Sequence, residues 1–285
     1  MELIAHFEAA RPRLLSLAHR ILGSHQDAED AVQTTWTRAN GVDADTLDNP
    51  EAWLTTVTAR LCVDLLRSRA RRPELPLPEQ DFQSEELAAE EAFLRREEVS
   101  RALLVLLDAL PPRQRVAYVL HDLFTVPFDR IAEVLDVRPD AAKKLASRAR
   151  AALRAARPAP GTPAASHLRI VDAFLAAARG GDLARLVALL APDAVRLADP
   201  GLLPPGAPTE VHGAAAIATE TRAFAARIAL AVPLLLDGRP GAVIAPGGRP
   251  FALIRLRLDG DGLVTRIEIV PARRRPRRPL SDPRP

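Results

Sequence analysis

The chain has 285 residues, 48% of them hydrophobic and 26% charged, with a formal net charge of +3. That length implies two or three compact units, and the composition is that of a globular protein rather than a disordered one. One cysteine, Cys62, excludes an internal disulfide and a cysteine-built metal site.

The acidic, amphipathic start Met1-Glu2-Leu3-Ile4-Ala5-His6-Phe7 lacks the basic region of a signal peptide. Charges interrupt every apolar stretch, so no membrane contact and a cytoplasmic location are expected. Leu14, Leu15, Ala18, Ile21 and Leu22 follow the spacing of one helix face, and Gly23 reads as its stop. Ser24, with Asp27 three residues on, resembles a capping box for the next helix. There Ala28, Ala31, Val32, Thr35, Trp36 and Ala39 line one side, and Asp27, Asp30, Gln33, Thr34 and Thr37 make an acidic, polar face opposite.

Asn49-Pro50 is an N-cap followed by proline at the first helical position, and it opens a third helix. Its expected buried face is Trp53, Leu54, Val57, Leu61 and Leu65, with Thr56, Arg60, Asp64, Arg67 and Arg71 on another side. Residues 60–72 hold five Arg and one Asp, a net +4. A connector follows, begun by Pro73, Pro76 and Pro78 and then acidic: residues 79–98 carry eight Asp or Glu against two Arg, a net −6. Such a segment is expected to lie over one of the basic helices and mask it.

Pro111-Pro112 breaks the chain after a Leu-rich helix, and Val116, Val119, Leu120 and Leu123 supply the next buried stripe. A short helix from Phe128 to Leu135, a tight turn Asp136-Val137-Arg138 and a helix opened by Pro139-Asp140 then form a helix-turn-helix pattern. In the second helix Ala142, Leu145, Ala149 and Leu153 are expected inside, and Lys143, Lys144, Ser147, Arg150 and Arg154 outside. Residues 138–157 hold seven Lys or Arg and one Asp, a net +6. Arg150, Arg154 and Arg157 suit phosphate contacts, which are independent of base sequence. Asp140, Lys143, Lys144 and Ser147, nearer the helix start, suit base edges in the major groove. Two helical modules, each ending in a basic helix, fit a protein that grips two separated DNA segments.

These residues match a known family. His25-Gln26-Asp27-Ala28-Glu29-Asp30-Ala31-Val32-Gln33 resembles the polymerase-binding helix of extracytoplasmic-function (ECF) sigma factors. The stretch from Asn49-Pro50-Glu51-Ala52-Trp53-Leu54 to Asp64-Leu65-Leu66-Arg67 resembles the reader of the −10 element. Ile131-Ala132-Glu133-Val134-Leu135 and Lys143-Lys144-Leu145-Ala146-Ser147-Arg148-Ala149-Arg150 are similar to the −35-reading domain. The resemblance implies that Asp27, Asp30, Val32 and Gln33 contact the β′ coiled coil of core RNA polymerase, with the β flap as a second contact. It further implies that Arg60, Asp64 and Arg67 lie on −10 DNA, that residues 40–48 form a base-capturing loop, and that Arg148 joins the −35 readers. Asp136 stands where the family often has Gly in the turn.

After the linker Pro158-Ala159-Pro160-Gly161-Thr162-Pro163 the pattern mixes helix and strand. Ala173–Leu183, Val211-His212-Gly213 before a helix, and alternating Phe251–Ile254 and Val264–Val270 resemble a SnoaL-like cone, a curved sheet wrapped by helices. The likeness implies modulation of promoter activity by this domain. Asp237-Gly238 and Asp259-Gly260 read as turns. His212, Asp199 and Asp237 are acid–base candidates, but fold resemblance alone carries no chemistry, and no enzyme is expected. No phosphate loop, dinucleotide fingerprint or metal-ligand spacing is present, so neither cofactor nor metal is expected.

The expected fold class is mainly α, two helical sigma domains with the second a helix-turn-helix, plus a C-terminal α+β cone. The expected boundaries are 1–72 (region 2), 73–96 (linker), 97–157 (region 4), 158–165 (linker), 166–271 (cone) and 272–285 (basic tail). The alternative is a helix-turn-helix regulator whose cone senses a small-molecule ligand.

Overall fold

A computed structural model of the chain describes residues 3–71, 85–96, 100–156 and 161–272. It divides into two units: Met1–Pro158 with Pro246–Arg249, and Ala159–Ala245 with Pro250–Pro285. The proline-rich half of the connector (with Pro73, Pro76 and Pro78), Arg72, Arg157 and the tail from 273 lie outside the described residues.

The first unit is built from helices α1 (Leu3–Leu22), α2 (His25–Ala39) and α3 (Pro50–Arg71), then α4 (Glu85–Arg96), α5 (Arg101–Asp108), α6 (Pro112–Tyr118), α7 (Phe128–Leu135) and α8 (Pro139–Ala155). The sequence signals at the helix ends act as expected. Gly23 takes a left-handed φ of +68° after α1. Ser24 Oγ accepts from the Asp27 N–H at 3.2 Å, and Asn49 Oδ1 accepts from the Ala52 N–H at 2.9 Å.

One face is rotated from its expected position, and a single residue of another is turned out. In α3 the deepest line is Leu54, Thr58 and Cys62, all at 0% exposure, while Trp53, Leu61 and Leu65 are only partly buried. In α2, Trp36 is exposed. The stretch read as a linker contains α4, which turns Leu87, Phe93 and Leu94 inward.

One hydrophobic core cluster runs from Leu3 in α1 to Ala149 in α8, with a smaller one at Leu94 and Leu104. The two modules that the sequence separates therefore share one interior, with α3 packed on α6 and α7.

The second unit contains α9 (Pro163–Gly180), α10 (Leu183–Leu189), α11 (Ala214–Thr221) and α12 (Ala225–Ala229). Its strands are β1 (Leu190–Ala198), β2 (Glu210–His212), β3 (Ala231–Leu236), β4 (Arg239–Ile244), β5 (Ala252–Leu258) and β6 (Val264–Pro271), in the order β2-β1-β6-β5-β4-β3. β1 runs parallel to β6, and the other pairings are antiparallel. The two-residue turn Asp237-Gly238 carries φ of +51° and +76°, which matches the twist of the β3–β4 hairpin. α9 packs on β3 and β4, and α11 on β1, so the sheet has helices against it as the cone resemblance implies.

Candidate nucleic-acid interface

The helix-turn-helix is α7, the turn at Asp136 to Arg138, and α8. Its sharpness comes from Asp136, whose backbone sits in the left-handed region (φ +53°, ψ +61°) while its N–H closes α7 on the Ala132 carbonyl. Asp is among the residues that tolerate this conformation best after Gly. In α8 a seam of small residues, Ala142, Ala146 and Ala149, is fully buried, and Leu145 and Leu153 flank it half-buried. Ala146 was absent from the expected inner face, although its spacing from Ala142 and Ala149 places it there.

Packing that seam inward turns the opposite side out. Asp140, Lys143, Lys144, Ser147, Arg148 and Arg154 are exposed, as is Arg138 just before the helix. Lys143 Nζ is 4.0 Å from Asp140, with both side chains mostly in solvent, so the pair is weak and the ammonium stays available. Arg150 differs: it is half-buried, 3.7 Å from Asp122.

On α3, Arg60, Asp64 and Arg67 are exposed. Arg67 pairs with Asp64 at 3.7 Å. Arg60 is engaged within the unit, donating through Nη2 to the Glu133 carbonyl of α7 at 3.3 Å. Residues 43–46 form a tight turn in which Asp43 Oδ1 accepts from the Asp45 N–H at 3.0 Å.

On α2, Asp30 and Gln33 are exposed, and Gln26 Nε2 donates to Asp30 at 3.3 Å. Val32 corrects the expectation of a surface contact: at 1% exposure it belongs to the core, so it supports α2 from beneath. Asp27 is partly buried and held by two cations, Arg69 on α3 and Arg249 at 2.8 Å. Burial pushes its carboxyl pKa up. Hydrogen bonds from Arg69 and Ser24 and the charges of Arg69 and Arg249 outweigh this and hold it below the ordinary value. Arg69 had no role assigned from the sequence because it sits in a run of four arginines between residues 67 and 72 with nothing to distinguish it.

The acidic connector does not mask a basic helix where it is described. Glu90 accepts from the His25 N–H at the start of α2 (3.1 Å), and Glu91 pairs with Arg101 and accepts from the Gly247 N–H (3.0 Å).

In the second unit, the three acid–base candidates do not converge. His212 is exposed and pairs with Glu210 at 2.9 Å. Asp199 caps a turn through the Gly201 N–H at 2.9 Å, and Asp237 lies in the β3–β4 turn. None of them lines the cavity of that unit. Among the described residues no group of three or more His, Cys, Asp or Glu is arranged to hold a metal, and no helix is long and apolar enough to cross a membrane.

Comparison with known proteins identifies the family. Residues 6–72 match the model of Sigma-70 region 2, and residues 100–153 that of Sigma-70, region 4. The chain is 43% identical over 220 residues to the ECF RNA polymerase sigma factor SigJ of Mycobacterium tuberculosis, covering 74% of this chain and 69% of that one. It is 33% identical over 193 residues to the probable ECF RNA polymerase sigma factor SigI of the same species, covering 66% and 67%. The crystal structure of M. tuberculosis SigJ aligns over 94% of this chain and 95% of that one, with 35% identity and a TM-score of 0.48. On the extent and identity of the SigJ match, the chain belongs to the ECF RNA polymerase sigma factors.

Proposed function

We propose that this chain initiates transcription by docking the acidic face of α2, through Asp27, Asp30 and Gln33, on the β′ coiled coil of core RNA polymerase. It then places Arg60, Asp64 and Arg67 of α3 on the −10 element and α8 on the −35 element. The observation that carries this reading is the two-sidedness of α8, a buried alanine seam behind an exposed row of Lys143, Lys144, Ser147, Arg148 and Arg154. A region 2 helix set with exposed Asp30 and Gln33 in the same unit separates it from a stand-alone helix-turn-helix regulator. Its place of action is the cytoplasm, where polymerase and promoter are, and the C-terminal unit modulates output. It works as an initiation factor and not as an enzyme.

The shared core sets a mechanical requirement. Elements centred 10 and 35 base pairs upstream lie roughly 25 pairs, or roughly 85 Å, apart at about 3.4 Å per pair. Modules packed on one interior do not span that distance, so α3 and α7 separate before both elements are engaged. Arg60 then leaves the Glu133 carbonyl and becomes free for DNA.

The test is a pull-down with core polymerase followed by run-off transcription from a promoter carrying both elements. Core capture and a discrete transcript are expected. Replacing Asp30 and Gln33 together weakens capture, and a chain that fails to bind core at all would falsify the reading.

A further inference from the structure

We propose that the cavity inside the C-terminal unit binds a small neutral molecule that is mostly hydrocarbon and carries one hydroxyl. Protein interiors rarely keep voids larger than a water molecule. This unit keeps one of about 70 Å³, walled by Phe174, Ile217, Phe224, Ile228, Ile254 and Ile267 among others. For scale, an apolar cavity of ~150 Å³ takes a benzene ring. This cavity has about half that volume, so a single ring enters only if the partly exposed rim side chains Leu202 and Phe224 yield.

The polar edge of the cavity defines the ligand's chemistry. Arg196, 4% exposed, donates from Nε to Glu220 Oε2 at 2.9 Å, from both terminal nitrogens to the Pro208 carbonyl at 3.0 Å, and from Nη2 to Glu220 Oε1. Most of its N–H groups are thus committed. The Glu220 carboxylate has taken one bond on each oxygen and keeps further lone pairs. Arg227 donates to the Leu202 carbonyl at 2.6 Å, and Thr221 to the Ile217 carbonyl at 2.7 Å. What the wall offers a guest is therefore an acceptor, and the matching group is a donor. Two guanidiniums and one carboxylate line the cavity, but the rest of its wall is hydrocarbon, so an anion entering it loses its hydration for little return, which favours a neutral guest. No His, Cys, Lys or Tyr is among the described lining residues. This inference does not depend on the roles proposed for α2, α3 and α8.

The experiment is titration of the full-length protein, labelled at isoleucine methyls, with phenol, toluene and benzoate. Saturable shifts at Ile217, Ile254 and Ile267 are expected with phenol. Its affinity should be about tenfold above that of toluene, the worth of one hydrogen bond to a charged group. Benzoate should leave these methyls unmoved. Ala198→Leu, which fills the cavity, should abolish the phenol shifts. Phe224→Ala, a change at the rim that spares the core, should weaken phenol binding several-fold and covers the case in which the filled variant fails to fold. Methyls that do not respond to phenol overturn the site, and toluene or benzoate binding as tightly as phenol overturns the assigned chemistry.

Discussion

Arg115 of α6 donates through Nη1 to the carbonyl of Ile21, one residue before the end of α1, at 3.2 Å. Its other terminal nitrogen holds the Asp108 carbonyl at 2.8 Å and the Asp108 carboxylate at 3.0 Å. One guanidinium at 6% exposure thus ties region 4 to region 2 through polar groups that the shared core has removed from water. Arg115→Met keeps the aliphatic stem and strands those acceptors. Removing one member of a fully buried pair costs about 3–5 kcal/mol. Because the Asp108 side chain is 28% exposed, a loss of about 2–3 kcal/mol is expected. Urea denaturation followed by circular dichroism measures it, and an unchanged midpoint would show that the link carries no stability.

Between α2 and α3 two hydroxyls meet in the core: Thr35 Oγ1 lies 3.0 Å from Thr58 Oγ1, and each also donates to a carbonyl of its own helix, Ala31 and Leu54, at 2.9 Å. Each hydroxyl has one hydrogen, so the pair makes two bonds at a time, and when one hydroxyl is removed the other keeps the carbonyl of its own helix. Thr35→Val and Thr58→Val should each cost about 1 kcal/mol, and the double variant about the sum of the two. A double-mutant cycle measures this. A double variant no worse than either single would mean that the two hydroxyls act as one unit.

The same pair shows where sequence reading ends. The helix boundaries around α2 and α3 were legible because Ser24, Asn49 and Pro50 act locally, through bonds to the next turn. The face of α3 was not. Thr58 and Cys62 look neutral to a hydropathy pattern, and burial of Thr58 is tolerable because its hydroxyl meets the Leu54 carbonyl and the Thr35 hydroxyl. The exposed basic row of α8 was legible because charge is its own signal. That Arg60 and Arg150 are occupied by Glu133 and Asp122 depends on how helices pack across the unit, and no local pattern encodes that.

Asp27 carries a pH dependence. Its carboxyl is held below the ordinary value of 3.8, with burial opposing and the contacts from Arg69, Ser24 and Arg249 prevailing. A carboxylate lowered on folding adds stability above its unfolded value and loses it as pH falls through the folded one. Asp27→Asn should therefore be less stable than the parent by about 1 kcal/mol at pH 7. The gap should close as pH drops below about 3.8, near the usual Asp value. Denaturation midpoints at pH 7, 5 and 3.5 check the sign, and a gap that widens in acid would contradict it.

Lys143 and Arg154 sit at opposite ends of the exposed row of α8 and should fail differently. On the proposed role, Arg154→Ala removes a phosphate contact. It should lower the slope of log affinity against log salt by about 0.9 and weaken all promoters alike. Lys143→Ala should cost about 1–3 kcal/mol on the preferred −35 sequence and little on sequences altered at the base it reads. Both are measured as holoenzyme affinities for a set of −35 variants across a salt series. Equal, sequence-blind losses would make α8 a phosphate clamp only.

The proposed parting of α3 from α7 is open to direct measurement, because Cys62 is buried and does not compete for label. It has 0% exposure, and burial pushes its thiol pKa up, away from the reactive thiolate. Arg38→Cys on α2 and Ala151→Cys on α8 are exposed and lie outside the contacts assigned to polymerase and DNA. Dyes on the two report the distance between modules. In the free chain the shared core holds them together and energy transfer should be high. Core polymerase has to supply enough binding energy to open that interior, so transfer should fall on its addition, before any promoter is present. If transfer stays high in a complex that still makes transcript, α3 and α8 reach their elements without separating, and the requirement drawn from the roughly 85 Å spacing is wrong.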